Sequence, residues 1–429
     1  MMRRSDLVAI LLFTVVLSQL VEIGLPFGGL SLEEPLIVLA TLACLAAGLS
    51  FRFSWIVLAV AVTEFAVAAL YKISIGNFNG LIVPILSIGV RFVAFSYLYD
   101  WFVRDPQRFV RLLCVFWVRL AVISGVLASL QMVGLPAVGI VDGQFILHDR
   151  SVGLQYDPNY ASFSFAIAAA LIKPLNWQRE FVWATHLLLL VATLATASRM
   201  GVILLMLVYA YRWSSGWGRV GGVEAVARIW VAAVALAGAL FVAGIWSNLN
   251  EIGIFHRMSQ AATTLGETSL SQLSQTRGQS VDSAFERMAL AYTGIRVWQD
   301  NFWVGIGPER LHVEIWRRVR IFKATHNGYI DRLAIGGVAG FGFIALTLFC
   351  ALAPRVMRTM RGWSAELREV ADFYMLAVIL GSVFLNLSIW LPATLIAAAL
   401  SVQARERRAR QAAARPGPQH DPALAGGAA

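Results

Sequence analysis

Apolar runs of about 16 to 22 residues recur along the chain, separated mostly by short polar connections, and a run of that length crosses a hydrocarbon core as one helix. The runs predict helices at roughly 7–25, 35–50, 53–71, 80–99, 109–134, 159–174, 180–197, 199–213, 228–247, 328–352, 371–387 and 388–402, about twelve spans in all. Charge between the runs is asymmetric. With a cytoplasmic N-terminus, the inner connections hold Arg52; Arg104, Arg108 and Arg111; Lys173 and Arg179; Arg212, Arg219 and Arg228; and Arg355, Arg358, Arg361 and Arg368. The short outer connections hold only Lys72, Arg150 and Arg199. Cytoplasmic loops carry the excess of Lys and Arg, so both termini are placed in the cytoplasm.

Two outer connections break the pattern. One runs from about Leu135 to Asn159. The other runs from about Asn248 to Asn327, too long for a passive connector. The chain therefore divides into helices one to nine over 1–247, an outer segment over 248–327, three further helices over 328–403, and a tail over 404–429. The tail (Arg405, Arg407, Arg408, Arg410, then Ala, Pro and Gly) reads as a basic anchor followed by disorder. In the long outer segment, Gln260 to Ser280 is rich in Ser, Gln and Thr. Asp282 is then placed to N-cap a helix whose Phe285, Met288, Ala289, Tyr292 and Ile295 share a face. Gly305-Ile306-Gly307-Pro308 is a turn, and Pro308 opens a second amphipathic helix with Leu311, Ile315 and Val319 in register and Arg317, Arg318 and Arg320 elsewhere. The expectation is a small helical cap on the outer membrane face.

Composition agrees with the pattern. Hydrophobic residues make up 58% of the 429, charged residues 14%, and mean hydropathy is +0.69. An average soluble domain carries about 25% charged residues, so the fold class is an all-α polytopic membrane protein. The net charge of +10 sits largely in short connections, where topology accounts for it without nucleic acid. The start of the chain (Met1-Met2-Arg3-Arg4, then an apolar run from Leu7) has the look of a signal peptide. No small-x-small cleavage site precedes Gly28 to Glu34, which favours an uncleaved first helix. Cys44, Cys114 and Cys350 all fall in apolar runs, so neither a disulfide nor a thiolate metal site is expected.

The chemistry-bearing pattern lies at the end of the long outer segment. Thr325-His326-Asn327-Gly328-Tyr329 runs directly into an apolar helix, and Gly337 and Gly340 complete H-N, nine residues, G-x-x-G. With six histidines in the chain, a chance match is expected on the order of 0.01 times. His326 reads either as a general base or as a polar residue opening a helix. The glycines read either as part of that pattern or as the small residues that let membrane helices approach. Arg296 and Gly307 form an R-x10-G, a spacing that arises about two or three times by accident in so basic a chain, and it carries no weight. Arg199 sits at the tight junction of two short apolar spans. Arg150 follows His148-Asp149, and Arg287 lies in the first cap helix. Guanidinium groups suit a lipid diphosphate through bidentate, charge-assisted hydrogen bonds; the alternative is that they snorkel to headgroups.

Three segments resemble the O-antigen ligase family, within the wider ligase and polymerase superfamily, over most of residues 145–345. They are Asp149-Arg150-Ser151-Val152-Gly153-Leu154-Gln155-Tyr156-Asp157-Pro158-Asn159; Ser198-Arg199-Met200-Gly201; and Glu286-Arg287 through Gly305-Ile306-Gly307 to His326-Asn327. Trp303-Val304 stands where the family often has a proline before the Gly-x-Gly turn. The resemblance implies a metal-independent membrane glycosyltransferase of GT-C type, with no cofactor. Arg199 and Arg287 would bind the donor diphosphate and His326 would serve the acceptor hydroxyl. Arg150, Asn159, Asp157 and Asn327 would line the same site. The implied donor is an undecaprenyl-diphosphate-linked glycan, and the acceptor is lipid A core or another lipid-linked glycan.

The residues themselves permit a metal-free route, since no Asp-x-Asp pair occurs and His148, His256, His312 and His326 lack zinc-type spacing. Glycosyl transfer in the bacterial inner membrane, with the site facing the periplasm, is the leading expectation. Repeat-unit polymerisation, transfer of glycan to protein and secondary transport stand as alternatives. A transporter should show paired, interrupted spans in two halves, whereas the polar material here is gathered in one outer segment. Glu64, Arg91 and Arg119 lie about ten residues from the inner ends of their spans, roughly 12–17 Å deep, and are expected to form one buried ion-pair cluster. Single cysteines placed at Ser271 and at Ser364 should be labelled from opposite sides of the membrane, the first from the periplasm. Labelling of both from one side would refute this arrangement.

Overall fold

The structure, a computed structural model, describes residues 4–20, 33–141, 144–147, 150–155, 157–172, 175, 177–216, 283–321, 323, 325, 327–357 and 390–413. The spans expected at 228–247 and 371–387, the stretch 260–280, Asp282 and His326 lie outside the described residues. Helices carry the fold: α1 (Arg4–Leu20), α2 (Glu33–Ala46), α3 (Trp55–Ser74), α4 (Ile82–Arg104), α5 (Pro106–Met132), α6 (Pro158–Leu171), α7 (Arg179–Ala195) and α8 (Arg199–Gly216), followed by α9 (Ser283–Asp300), α10 (Leu311–Val319), α11 (Gly328–Gly336), α12 (Val338–Met357) and α13 (Trp390–Ala413). One short antiparallel hairpin, β1 (Val138–Val141) with β2 (Gln144–Leu147), falls in the first long outer segment, with Val138 opposite Leu147.

This is an integral membrane protein. The helices at Trp55–Ser74, Asn79–Arg104 and Pro106–Met132 are long and apolar enough to cross a bilayer, and shorter apolar helices occupy 5–17, 35–46, 338–350 and 393–405. Their outward faces show Val62, Val83, Leu86, Phe181, Trp183 and Leu187. In water these residues would be a liability; against lipid they are solvent-matched. Helix α6 is apolar nearly all round and is buried from Ala161 to Leu171, which makes it the axis of the bundle. Its small residues (Ala161, Ser162, Ser164, Ala166, Ala168, Ala169) let α5, α7 and α8 close on it, as membrane helices pack by close approach rather than by water exclusion. Helices α3, α4, α12 and α13 pack into a second group, in which Phe95 stacks on Trp390.

Four expectations change in the structure. The predicted span 328–352 is two helices, because Gly337 sits at φ +55 and breaks the run. The ion-pair cluster is narrower than expected. Arg91 Nη1 lies 3.9 Å from Glu64 Oε2, and Trp390 Nε1 donates to the same oxygen at 2.9 Å. Arg119 is exposed, on a helix that packs chiefly against α1, α6 and α7. The buried face of α9 is Glu286, Ala289, Leu290, Thr293, Gly294 and Val297, one position round from the predicted stripe, and Ile295 faces out. The small Thr293 and Gly294 allow a closer approach than Tyr292 and Ile295 would. Finally, the last helix runs through 404 to Ala413, because Ala, Gln, Glu and Arg are strong helix formers.

Lys72 of α3 is paired with Glu309 at 2.8 Å, and Arg52, just before α3, is paired with Asp100 near the end of α4. The residues sorted into outer and inner sets by charge thus gather at opposite ends of the same helix. Replacing Glu64 with Gln keeps an acceptor for Trp390 but removes the counter-charge of Arg91. About 1–3 kcal/mol of stability should be lost, read as a lower yield of monodisperse protein on size exclusion. Activity per folded molecule should be nearly unchanged. Normal folding with activity abolished would instead make the pair part of an ion pathway.

Candidate functional site

Two groups of polar residues form where helices end on the Lys72 side. The first surrounds the segment that precedes α6. Its backbone leaves regular structure next to α5, so its N–H groups need partners inside the protein. Gln131 Oε1 accepts from both Val152 N and Gly153 N at 2.9 Å, and Ser124 Oγ accepts from Leu154 N at 3.0 Å. Gln155 Nε2 donates to Ser164 Oγ at 2.8 Å. Asp157 then caps α6, accepting from Asn159 N at 2.6 Å, with Pro158 in the first turn where its missing N–H costs nothing.

This scaffold brings three of the expected residues to the α7–α8 junction. Arg150 Nε donates to the Thr196 carbonyl at 2.7 Å, and Ser198 Oγ donates to Asn159 Oδ1 at 3.1 Å. Arg199 is the first residue of α8. The junction turns through Ala197 at φ +48, a left-handed conformation held by Thr196 and Ser198, whose hydroxyls receive the Ser198 and Gly201 N–H groups at 3.3 Å. A side chain at Gly201 would collide with Ser162, so the glycine lets the start of α8 lie directly against α6. Arg150, Asn159 and the start of α8 therefore form one unit.

The second group belongs to the cap. Helix α10 buries Leu311, Ile315 and Val319 as the periodicity requires, and Arg318 pairs with Asp300 at 2.8 Å and with Glu314 at 2.9 Å. Burial works against the charged Arg318, but hydrogen bonds to Asp300 and Glu314 outweigh it and raise its pKa. The turn at 301–307 docks on the α11–α12 break. Ile306 N donates to Ala334 O and Gly307 N to Ile335 O, both at 3.1 Å. A Cβ at Gly337 would stand 2.5 Å from the Phe302 carbonyl and 2.7 Å from Gly305 N. Gly337 of the sequence pattern thus serves this docking, while a Cβ at Gly340 would collide with the Arg332 carbonyl of α11, the close helix approach that small residues allow.

The same docking presents the segment that contains His326. Asn327 caps α11, its Oδ1 accepting from Tyr329 N and Ile330 N at 3.1 Å. Asp331 reaches back and accepts from Thr325 N at 3.0 Å and Thr325 Oγ1 at 2.7 Å, with Thr325 1% and Asp331 8% exposed. Burial raises the Asp331 pKa and outweighs the two Thr325 hydrogen bonds and the nearby His312 and Arg332, which act to lower it. Lys323 donates to Glu286 at 2.7 Å, which ties the segment to α9. Thr325 also packs on Gly294. Arg287, next to Glu286, faces outward from α9.

The described contacts join Arg150 with Asn159 and the α8 start, and hold the residues on either side of His326. Sequence reasoning overlooked Ser124, Gln131, Thr196, Thr325 and Asp331. Of these only Asp331, an acid four residues beyond a cap residue and within the first turns of an apolar helix, carried a readable signal.

These positions fall largely inside a segment of known type. Residues 184–345 match the O-antigen ligase family. The match takes in Ser198-Arg199-Met200-Gly201, Glu286-Arg287, the Gly305–Gly307 turn and His326-Asn327, and so bears out the family resemblance there. Arg150, Asp157 and Asn159 precede it, and Arg150 and Asn159 contact its Thr196 and Ser198. Among curated proteins, none matches the chain. Thr325→Val keeps the side-chain shape but removes one donor from the buried Asp331. It should cost about 1–3 kcal/mol, measured as a lower midpoint in thermal unfolding of the detergent-solubilised protein. An unchanged midpoint would show that the clamp does not hold the segment.

Proposed function

We propose that this chain is an O-antigen ligase, a membrane glycosyltransferase moving glycan from an undecaprenyl-diphosphate donor to lipid A core. The observation that carries the reading is the match to the O-antigen ligase family over 184–345, which spans Arg199, Arg287 and His326. The rest of the proposal follows from the sequence pattern: about twelve spans in a GT-C-type arrangement in the inner membrane, both termini cytoplasmic, and the site on the periplasmic side under the 248–327 cap.

In this mechanism the acceptor hydroxyl gives its proton to His326 as it attacks the anomeric carbon of the donor. The bond from that carbon to the diphosphate oxygen breaks, and the electron pair leaves with the polyprenyl diphosphate. Charge grows on the leaving oxygens, and Arg199 and Arg287 are the groups assigned to stabilise it. Arginine suits this duty because it stays charged at a membrane surface and binds two oxygens at once. Arg150, Asn159, Asp157 and Asn327 are assigned to the substrate-lining set. In the structure Asp157 and Asn327 cap helices, so their part is to hold α6 and α11 where those helices begin. No resident metal or cofactor enters this scheme.

Purified protein supplied with polyprenyl-diphosphate glycan and lipid A core in the presence of chelator should transfer sugar. Arg199→Lys keeps charge but loses the bidentate fork, and transfer should fall by about a hundred- to a thousandfold, the usual cost of one such donor. His326→Ala should lower turnover while leaving donor binding nearly intact. Parental transfer by His326→Ala, or a need for added divalent metal, would overturn the mechanism. Transfer only to a second lipid-linked glycan would make the enzyme a polymerase.

A further inference from the structure

A recess lies at the end of the bundle away from the cap. Lys72, at the end of α3, meets the cap through Glu309, while Arg52 precedes the other end of that helix. The recess, about 190 Å³, is bounded by Ser5 and Val8 of α1, Leu49 and Ser50 before α3, and Tyr97, Asp100, Trp101 and Arg104 of α4, with Arg52 outside this lining and joined to it through Asp100. Val8, Leu49, Tyr97 and Trp101 give it an apolar and aromatic side, Ser5 and Ser50 add hydroxyls, and its charge is concentrated at one point.

That point is a buried carboxylate shared by two arginines. Asp100 is 5% exposed. Arg104 Nη2 is 2.5 Å from Oδ2 and Arg52 Nε is 3.1 Å from Oδ1, the latter an ion contact without hydrogen-bond alignment. The carboxylate neutralises only one of the two cations. Both guanidinium groups remain about half exposed, 56% for Arg104 and 48% for Arg52, and each has five N–H donors, so a carboxylate that holds one edge leaves others facing out. A buried acid pins two cations side by side, next to Trp101, at the level where an apolar wall gives way to water.

We propose that this recess seats the phosphodiester of an anionic phospholipid from the adjacent leaflet. Arg104 and Arg52 bind its phosphate oxygens, and the glycerol and first acyl carbons lie along Val8, Leu49 and Trp101. The chemistry fits one anion and an apolar stem together, which a free phosphate would only half use. By the arginine asymmetry this leaflet is the cytoplasmic one, where anionic headgroups attract Lys and Arg. The site is independent of the glycosyltransferase reading.

Native mass spectrometry of the detergent-solubilised full chain, titrated with dihexanoyl-phosphatidylglycerol or dihexanoyl-phosphatidylcholine, tests it. Phosphatidylglycerol should be retained in preference to phosphatidylcholine. Arg104→Gln and Arg52→Gln should each weaken that retention about fivefold, the equivalent of ~1 kcal/mol per basic residue. Either single variant leaves Asp100 a counter-ion, so folding should persist. Asp100→Asn, which keeps both arginines, should bind as well or better. Arg108→Gln removes the same charge from the exposed start of α5, outside the recess, and should change retention less than twofold. Equal retention of the two lipids would overturn the proposal, and so would a loss in Arg108→Gln as large as in Arg104→Gln, which would mean diffuse surface attraction. Displacement by inorganic phosphate at matching concentration would show a free-anion site in place of a lipid one.

Discussion

Backbone groups that leave a helix inside or beside a bilayer find no partner in lipid, and each one left unpaired costs several kcal/mol. That constraint shapes the cap-side end of this protein. Among the described residues, four stretches that leave regular structure there find partners from within. Residues 152–154 are satisfied by Ser124 and Gln131, the 196–201 junction by its own hydroxyls, the 301–307 turn by carbonyls of α11, and Thr325 by Asp331. Irregular backbone is therefore held as firmly as helix. Such backbone is where a membrane enzyme can place polar side chains without exposing unpaired peptide groups to lipid.

The two polar groups differ in how they are built. The one around Arg150 and Asn159 is carried by α6, the most buried helix, and by the close contact of Gly201 with Ser162. It is rigid by packing. The one around 323–331 is carried by a small cap that rests on α3, with Gly307 against the ring of Tyr71 and Lys72 against Glu309. Its own core is short: Leu290, Val297, Leu311, Ile315, Val319 and Ile321. A donor diphosphate gains from groups already fixed, because electrostatic stabilisation in the transition state depends on donors that need no rearrangement. An acceptor that must enter and leave gains from a group carried on a separable element. Of the proposed donor groups, Arg199 at the start of α8 falls on the fixed side of that difference, whereas Arg287 on α9 belongs to the cap.

Much of the fold was legible in the sequence because membrane helices announce themselves by length and apolarity. Amphipathic α10 was legible for the same kind of reason: Leu311, Ile315 and Val319 obey one period. The errors share a physical cause. The face of α9 was misjudged because hydrophobicity favoured Tyr292 and Ile295, while the deciding factor was the room that Thr293 and Gly294 leave for Thr325 and Ile330. The break at Gly337 was invisible because the turn that docks on it lies some thirty residues earlier in the chain. Arg119 was grouped with Glu64 by depth alone, and depth says nothing of which way round a helix a residue points. At the candidate site, the charged and histidine positions stood out, but their supports did not. Ser124, Gln131 and Thr325 are ordinary polar residues until the loops they satisfy are seen beside them.

Two acidic residues hold the stretch of chain that leads to α11. Glu286 is 8% exposed and engaged by Lys323, and Asp331 is equally buried and engaged twice by Thr325. Each carboxylate commits one oxygen, Glu286 Oε1 and Asp331 Oδ1, to holding the chain. A proton taken at either engaged oxygen would have to displace a donor that holds the segment. Asp331 is better suited to another duty. It fixes Thr325 while Asn327 is fixed by its own cap, so the backbone is anchored on both sides of His326.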